Sequence, residues 1–518
     1  MSKSTRRSFI KNVGIVGTAA GIGSGFSLTI VDAEESGGPW TTFRGGAGRT
    51  GATSDSGPAT NIATEWSFDL NGGMHTVEPI IADGLLYLAV TTQHTPSTGS
   101  GYVAAYDPQT QSEVWRFDGI SPPETPTYEN GVLYFGTNGS ESSNSSGFFA
   151  LDAATGEQKW NKEDSSGLTN PLIVNGRLFA SGSGRAGEHD LNTGEVIWQT
   201  DVASGPACFA DDLLFYENGI ALNADDGSMV WNVSSEKERL QTVSNGIVFG
   251  VKNTSNSKVV IKARSSNDGS VHWSYSAETE VNWANPRLTI ADNNVLFHTG
   301  KTIYALDVGN GEETWSYDAN ATISGALSVG NGILYAGGRS DFGTDTGNAV
   351  VLALDAASGK QQWRHEFGGW NFEEYGPAAN SPIVANGKIY TSTYPMNSTT
   401  DWMYTEYGNF HVLGRDVGSN TTKTTTKKTT TSSTNTNTTS TKTDTGSTTR
   451  STVTGSTKSS SSTKIAQTTE TSGTTVSSTM STTGPTKTTS SNGQPGFGTL
   501  TAIGGLSGLV AYLRSSLE

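Results

Sequence analysis

One short unit recurs through the middle of this chain and limits what the chain can fold into. The unit is an Asp, a Gly four residues later and a Trp four residues after that; its clearest copy is Asp152, Gly156 and Trp160. Gln111 replaces the Gly in one copy. Counted back from each Trp, the copies are Asp107/Trp115, Asp152/Trp160, Asp190/Trp198, Asn223/Trp231, Ser265/Trp273, Asp307/Trp315 and Asp355/Trp363.

Each copy predicts two strands joined by a tight turn. The Asp carboxylate can accept hydrogen bonds from the turn's backbone N–H groups, and Gly suits the position where a positive φ is needed. The Trp follows on the next strand, where its large surface is best buried against a neighbouring copy.

A second signature precedes each copy: often a Pro, then Gly or Asp five residues later, then an aromatic residue three further. It is clear at Pro79, Pro126, Pro171 and Pro382, and looser forms start at Pro206, Gln241, Pro286 and Leu327. These make eight repeats. Successive tryptophans from Trp66 onward are 33 to 49 residues apart, and periods of this size with many short strands are typical of a propeller rather than a helical solenoid.

The two ends of the repeat region predict how the ring closes. Trp66 has no Asp and turn before it, and residues 410–416 have no Trp after them. If the first strand completes the last blade, the two halves form the eighth repeat and no sheet edge is left open. We therefore predict an all-β protein with an eight-bladed β-propeller over residues 40–418.

The pattern Ala-x-Asp-x-x-x-Gly-x-x-x-Trp resembles the tryptophan-docking motif of the pyrroloquinoline quinone (PQQ) type propellers. That group includes the quinoprotein alcohol dehydrogenases and the non-enzymatic propeller of the bacterial outer-membrane assembly machine. Residues 40–46, WTTFRGG, are similar to the opening stretch of the second, cofactor-free kind. The resemblance implies a fold, because the motif is structural. It implies that the docking residues are Trp66, Trp115, Trp160, Trp198, Trp231, Trp273, Trp315 and Trp363.

The resemblance also implies where a cofactor would bind. In the family, the residues just before the inner-strand Pro face the channel mouth; here these are Glu78, Thr125, Asn170, Gly205, Asn285 and Ser381. Glu78 and the two asparagines offer hard oxygen ligands for Ca²⁺. Two observations favour a channel without PQQ or Ca²⁺: polar residues line most wet channels, and one cysteine, Cys208, cannot form the vicinal pair common in quinoprotein enzymes.

The start of the chain resembles a twin-arginine export signal over residues 1–33. Arg6 and Arg7 precede a Gly- and Ala-rich apolar run over residues 14–31. We expect cleavage near Ala33. An uncut signal anchor is the alternative, because the run is long enough to span a membrane.

The end of the chain predicts a tether. Residues 419–493 are mostly Thr and Ser, which is typical of a disordered stalk and resembles an O-glycosylated one. Pro495, Gly496 and Phe497 then precede a weakly apolar segment and Arg514, so residues 494–518 resemble the sorting signal read by archaeal sortase-like enzymes. A plain C-terminal membrane anchor is the alternative.

Charge limits the partners. Residues 40–418 contain 20 Lys and Arg against 43 Asp and Glu, a net charge of −23, while residues 419–518 carry +6. Such a surface argues against nucleic acid and against anionic lipid as partners. It resembles proteins of halophilic archaea; an ordinary acidic secreted protein is the alternative.

No other motif predicts chemistry. Residues 45–51 lack the Gly-Lys-Ser/Thr ending of a phosphate loop, the seven histidines show no zinc spacing, and there is no Gly-x-Ser-x-Gly elbow. Aromatic and acidic residues in two insertions suit a protein or glycan contact; a local hydrophobic plug is the alternative. They are Trp370, Phe372, Glu373, Glu374, Tyr375, Trp402, Tyr404 and Tyr407.

We therefore expect an extracellular, membrane-tethered propeller, monomeric and without catalysis of its own, that binds or scaffolds a surface or envelope protein. A PQQ- and Ca²⁺-dependent dehydrogenase is the alternative from another class. An envelope-structural glycoprotein, in which the stalk matters more than the ring, is the third.

Overall fold

The computed structural model describes residues 40–95, 98–138, 145–182, 184–254, 257–279, 286–341, 347–368, 376–396 and 407–416. Within these residues the chain forms 35 strands and two 3-10 helices, Glu163–Ser165 and Ser234–Glu236. The predicted export signal with Arg6 and Arg7, the stalk, and the sorting signal with Pro495, Gly496 and Phe497 lie outside them. So do the aromatic insertions, apart from Tyr407.

Eight sheets follow one another along the chain as blades. Two strands precede the first blade: β1 (Ala52–Thr53) and β2 (Ile62–Asp69). Blade 1 contains β3 (Ile80–Ala82), β4 (Leu85–Thr95), β5 (Thr98–Asp107) and β6 (Ser112–Ile120). Blade 2 contains β7 (Thr127–Glu129), β8 (Val132–Gly136), β9 (Phe148–Asp152) and β10 (Gln158–Lys162). Blade 3 contains β11 (Thr169–Val174), β12 (Arg177–Gly182), β13 (Arg185–His189) and β14 (Val196–Thr200). Blade 4 contains β15 (Ala207–Ala210), β16 (Leu213–Tyr216), β17 (Ile220–Asn223) and β18 (Met229–Asn232).

The second half repeats the same antiparallel order. Blade 5 contains β19 (Arg239–Ser244), β20 (Ile247–Thr254), β21 (Lys258–Ser265) and β22 (Val271–Glu278). Blade 6 contains β23 (Thr289–Ala291), β24 (Asn294–His298), β25 (Thr302–Asp307) and β26 (Glu313–Asp318). Blade 7 contains β27 (Thr322–Ile323), β28 (Ser328–Gly330), β29 (Ile333–Arg339), β30 (Ala349–Asp355) and β31 (Gln361–Glu366). Blade 8 contains β32 (Gly376–Ala379), β33 (Ile383–Ala385), β34 (Lys388–Met396) and β35 (Asn409–Arg415).

The ring closes by strand exchange between its two ends. Strand β2 forms the outer strand of blade 8 by pairing antiparallel with β35, with Trp66 opposite Val412. Ile383 and Tyr390 of blade 8 share one hydrophobic core with Leu86 and Val103 of blade 1. The predicted eight-bladed β-propeller and its closure by the first strand are confirmed.

Each repeat tryptophan bridges two blades. The ring of Trp115, for example, lies against Gly156 of blade 2, where a Cβ atom would come within 2.7 Å of the indole. Its Nε1 donates a hydrogen bond to the carbonyl of Ala153 at 2.9 Å. The same Nε1 bond to the next blade is made by Trp160 to Leu191, Trp198 to Ala224, Trp231 to Ser266, Trp273 to Val308 and Trp315 to Ala356.

The two end tryptophans differ from this pattern. Trp363 donates to the carbonyl of Pro58, which precedes β2. Trp66 packs on Phe68 and Tyr106, with ring centroids 4.6 and 6.0 Å away. In blades 2 to 7 the docking indole lies against a glycine of the turn. In blade 1 the same turn position is occupied by Gln111.

Candidate functional site

The axis of the ring is occupied by the chain's own residues 40–53, which we call the lead-in segment. Six inner strands donate a backbone N–H to its carbonyls over 2.8–3.0 Å: Ile81 to Trp40, Tyr128 to Thr41, Phe209 to Ala47, Val243 to Gly48, Ile290 to Thr50 and Val329 to Gly51. All six donors have the same register, since each lies opposite the second residue of the next strand. The segment then ends in β1, which pairs in parallel with β28.

Strand register also identifies the residues that lie level with Glu78. Glu78 lies two residues before Ile80, which pairs with Tyr87 across β3 and β4. Each blade has an equivalent cross-strand pair. In blade 6 this position holds Arg287, and the predicted Asn285 lies outside the described residues. In blade 4 it holds Pro206, one residue beyond the predicted Gly205. The full set is Glu78, Thr125, Asn170, Pro206, Leu240, Arg287, Ala326 and Ser381.

Glu78 is engaged by the lead-in segment. Its side chain is 2% exposed. The carboxylate accepts hydrogen bonds from Trp40 Nε1 at 3.2 Å, from the Arg44 backbone N–H at 2.8 Å and from Arg44 Nη1 at 3.4 Å. Because both oxygens already accept from donors within the protein, Glu78 is a poor ligand for a cation.

Arg44 extends from this contact to two other blades. Its Nη2 donates to Thr289 Oγ1 at 2.6 Å and to the Leu327 carbonyl at 2.7 Å. Burial lowers the pKa of Arg44, while the charge of Glu78 and its hydrogen bond act in the opposite direction. One buried side chain therefore connects blade 1 to blades 6 and 7.

Arg49 makes the matching contacts to blades 3 and 4. Its guanidinium donates to the carbonyls of Asn170 at 2.9 Å, Pro171 at 3.0 Å and Ala207 at 3.1 Å. Burial lowers the pKa of Arg49 to about 10. Phe43 contacts two guanidinium groups, with its ring 5.5 Å from that of Arg49 and 5.4 Å from that of Arg287.

The remaining candidates form contacts within the ring. Thr125 Oγ1 accepts the Glu78 N–H at 3.1 Å, and Ser381 Oγ accepts the Ala326 N–H at 2.9 Å. Arg287 forms an ion pair with Glu217. Asn170 Oδ1 is buried without a hydrogen-bond partner. It is the one oxygen among the described candidates that is both buried and without a partner.

These contacts do not fit the Ca²⁺ and PQQ site of the alternative dehydrogenase interpretation. Calcium takes six to eight oxygen ligands, whereas at this level the described residues offer one unpartnered buried oxygen beside two arginines. Across the described residues, no group of three or more His, Cys, Asp or Glu side chains is placed to hold a metal ion. No helix within them is long and apolar enough to cross a membrane.

A small polar pocket lies between blades 1 and 2. Its lining includes His75, Thr91, Glu124 and Asn138, and its volume of about 10 Å³ has room for one water molecule. Glu124 accepts a hydrogen bond from Asn138 Nδ2 at 2.6 Å, and burial raises its pKa. Burial lowers the pKa of His75 to about 4. This pocket is too small for an organic substrate.

The single cysteine lies close to the axis. Cys208 is 1% exposed within an apolar cluster, and its Sγ donates to the Phe215 carbonyl at 3.7 Å. Burial raises its pKa to about 12. A buried protonated thiol is consistent with the packing role predicted from the sequence.

Four residues near the axis were not predicted from the sequence: Arg44, Arg49, Arg287 and Glu217, the ion-pair partner of Arg287. Arg44 belongs to residues 40–46, which indicated only the resemblance to the family, and Arg49 lies beyond them. Arg287 was missed because Leu288, not Pro286, has the register of the inner-strand Pro. Aligning the three-residue inner strands, such as Thr289–Ala291 with Ile80–Ala82, would have found it.

A family profile described as outer membrane protein assembly factor BamB matches residues 47–211 and 217–452. Two curated relatives come from Pseudomonas putida: quinohemoprotein alcohol dehydrogenase ADH-IIG, 27% identical over 158 residues, and quinoprotein alcohol dehydrogenase PedH, 28% identical over 178 residues. The alignments cover 27% and 30% of this chain but only 22% and 28% of the relatives, so the match spans about a quarter of their length.

Among solved structures, a europium-containing methanol dehydrogenase superposes with a TM-score of 0.51. The match covers 74% of this chain and 98% of that one at 14% identity. Identity this low shows a shared fold alone.

Proposed function

Because the chain belongs to the family described as outer membrane protein assembly factor BamB, we propose that it is an exported propeller that binds or scaffolds a partner protein at the cell surface. The observation that carries this proposal is the lead-in segment. It fills the ring axis with protein side chains, and its hydrogen bonds connect six inner strands through one segment. A ring connected across its axis in this way suits a binding platform.

Export and attachment complete the proposal. They are supported by the Arg6 and Arg7 pair at the start of the chain and by the Ser- and Thr-rich stretch with Pro495, Gly496 and Phe497 at its end. In this proposal the twin-arginine route delivers the folded ring, and the C-terminal tether holds it at the envelope.

We place the partner contact on the outer strands of blades 3 and 4. Val196 and Ile197 are 46% and 59% exposed, and Met229 and Val230 are 48% and 42% exposed. Each pair occupies the two positions before a docking Trp, where the strand is bulged. Four exposed apolar side chains at one height on adjacent blades are more typical of an interaction surface than of scattered surface residues.

Blade 7 provides a matched control for this surface. Gln361 and Gln362 occupy the same two positions before Trp363, and the strand has the same bulge. Blades 1 and 5 have one exposed apolar side chain each at these positions, Val114 and Val271. A pair of exposed apolar side chains there therefore distinguishes blades 3 and 4 among the described blades.

Site-specific cross-linking tests the proposed contact. A photo-reactive residue at Ile197 of the full-length protein, expressed in its own cells, should give a discrete cross-linked species, and the same probe at Gln362 should not. Met229→Glu should abolish that species without lowering the melting temperature. Equal cross-linking from both positions, or from neither, would contradict a partner at this surface.

The names of the two curated relatives favour a second candidate function, a quinoprotein dehydrogenase. Calorimetric titration of the full-length chain with PQQ and Ca²⁺, followed by dye-reduction assays with alcohols and sugars, separates the two candidates. We expect neither saturable heat nor turnover. Saturable binding with turnover that falls in Asn170→Ala would replace the scaffold proposal with the enzyme.

A further inference from the structure

A second feature of the axis is not explained by the proposed scaffold role. It is the guanidinium group of Arg239, at the start of β19. Its Nη2 is buried, and within the described part of the chain it has no hydrogen-bond acceptor. Burial lowers the pKa of Arg239. The side chain as a whole is only half-buried, but a buried N–H donor without a partner still costs stability, so natural proteins rarely keep one without a reason.

The charges around Arg239 leave it in a positive environment. Glu217, which acts on Arg239 through its charge, forms its ion pair with Arg287 instead. Arg287 in turn acts on Arg239, Arg44 and Arg49 with a like charge. With Glu78 included, this part of the axis has four arginines against two glutamates, a net charge of +2 inside a ring of net charge −23.

Register places the backbone of Arg239 on one side of the lead-in segment. On β19 the segment accepts a hydrogen bond from Val243, four residues after Arg239. At about 3.3 Å per residue, Arg239 begins more than 10 Å from that contact along the strand. The Arg287 side chain is 26% exposed, so this side of the axis is reachable from solvent.

We propose that Arg239 and Arg287 form a binding site for a small oxyanion that carries a carboxylate or phosphate group. The planar guanidinium matches these groups through paired N–H donors, and hydrogen bonds to charged groups are the strong ones. Arg239 supplies the unpartnered donor, and Arg287 supplies the nitrogens not used by Glu217. The acidic exterior repels polyanions such as nucleic acid, which leaves a small free anion as the ligand.

Thermal unfolding and calorimetry of the full-length protein test this site. Sodium acetate and sodium phosphate are titrated separately at constant ionic strength maintained with sodium chloride. We expect a saturable rise in melting temperature and a saturable heat with at least one of the two, because a ligand that binds only the folded state stabilises it. Arg239→Gln should weaken the apparent affinity by about ten- to a hundredfold.

The variant also separates a binding role from a structural one. Without added oxyanion, Arg239→Gln should melt at the same or a higher temperature than the wild type, because it removes a buried donor of a charged group that has no partner. A structural arginine would give the opposite result. Arg415→Gln is the matched control, since Arg415 is exposed at the end of β35 and its loss removes the same charge.

Three outcomes overturn the proposal: no saturation with either oxyanion, equal responses in the wild type and Arg239→Gln, or a destabilised Arg239→Gln that keeps the wild-type response. A response reproduced by chloride alone with the same midpoint overturns the assignment to an oxyanion. None of these outcomes bears on partner cross-linking, so the site and the scaffold role fail independently.

Discussion

Gln111 occupies the turn position that holds glycine in the other repeats, and its backbone keeps the glycine conformation. Its φ is 56°, compared with 75° at Gly156. A residue with a Cβ atom pays about 1–2 kcal/mol in this region, and glycine avoids that at a smaller cost in chain entropy. Gln111→Gly should therefore raise the free energy of unfolding by about 0.5–1 kcal/mol.

Urea denaturation measures this change, and Gly156→Ala provides the opposite case. An alanine there would combine a strained φ with a Cβ atom 2.7 Å from the Trp115 ring. We expect Gly156→Ala to lower the stability and Gln111→Gly to raise it. If Gln111→Gly is the less stable protein, the contact between Gln111 Nε2 and the Glu65 carbonyl matters more than the backbone strain.

His298 makes stability depend on acid. It is 3% exposed, and burial lowers its pKa to about 4 from an ordinary value of 6.5. On acidification the imidazole of His298 is protonated in the unfolded chain before it is protonated in the folded one. The contribution of neutral His298 to the free energy of unfolding is therefore fully present above pH 6.5 and is lost as the pH decreases to 4. The loss from His298 is about 3 kcal/mol at most, and burial of His411 acts in the same direction.

His298→Asn should flatten this dependence, because an amide oxygen can replace Nδ1 as the acceptor for the Gly300 N–H. The measurement is the free energy of unfolding at pH 7, 5.5 and 4.5. His272→Asn is the control, since His272 is exposed. An unchanged pH slope in His298→Asn would contradict the assignment.

At the scale of elements, the lead-in segment is stabilised by the ion pair of Arg44 and Glu78, which are 3% and 2% exposed. Removing one member of a buried pair leaves the other uncompensated and costs about 3–5 kcal/mol. Arg44→Met should therefore destabilise the ring by that amount in urea denaturation. The double variant Arg44→Met, Glu78→Gln should recover part of the loss, because it removes the stranded carboxylate.

A single-variant loss below about 1 kcal/mol would mean that the backbone bonds of the lead-in segment hold it without the ion pair. Full additivity in the double variant would mean that the two side chains stabilise the ring independently.

The blades could be predicted from the sequence and the lead-in segment could not, for a physical reason. Each blade is a local unit whose turn and Trp lie within a dozen residues of each other, so spacing alone indicates the strands. Arg44 instead contacts Thr289 and Leu327, more than 240 residues away. Nothing in the local pattern of residues 40–53 indicates those partners.

The candidate site shows the same limit. Glu78 and Asn170 were identified through the Pro that follows each of them, and both lie at the axis. Arg287 is followed by Leu288, so that signal was absent. Whether Asn170 or Glu78 can serve as a ligand depends on contacts with Arg44 and Arg49, which only the three-dimensional structure shows.

At the scale of the whole molecule, the acidic ring should depend on salt. Its 43 acidic against 20 basic side chains repel one another. Raising sodium chloride from 0.1 to 1 M shortens the screening length from about 10 to 3 Å. The melting temperature should rise over this range, whereas a matched osmolality of sucrose should raise it less. A constant or falling melting temperature would count against the halophilic interpretation of the composition.

The spacing of the lead-in carbonyls also matches the spacing of the blades. Trp40 accepts its hydrogen bond from blade 1 and Gly51 from blade 7, so one continuous stretch of main chain follows the inner strands from the first blade to the seventh. Repeats are easily gained or lost by duplication or deletion, yet a ring of seven or nine blades would put these carbonyls out of step with their donors. The spacing of the lead-in carbonyls is therefore expected to favour eight blades over seven or nine.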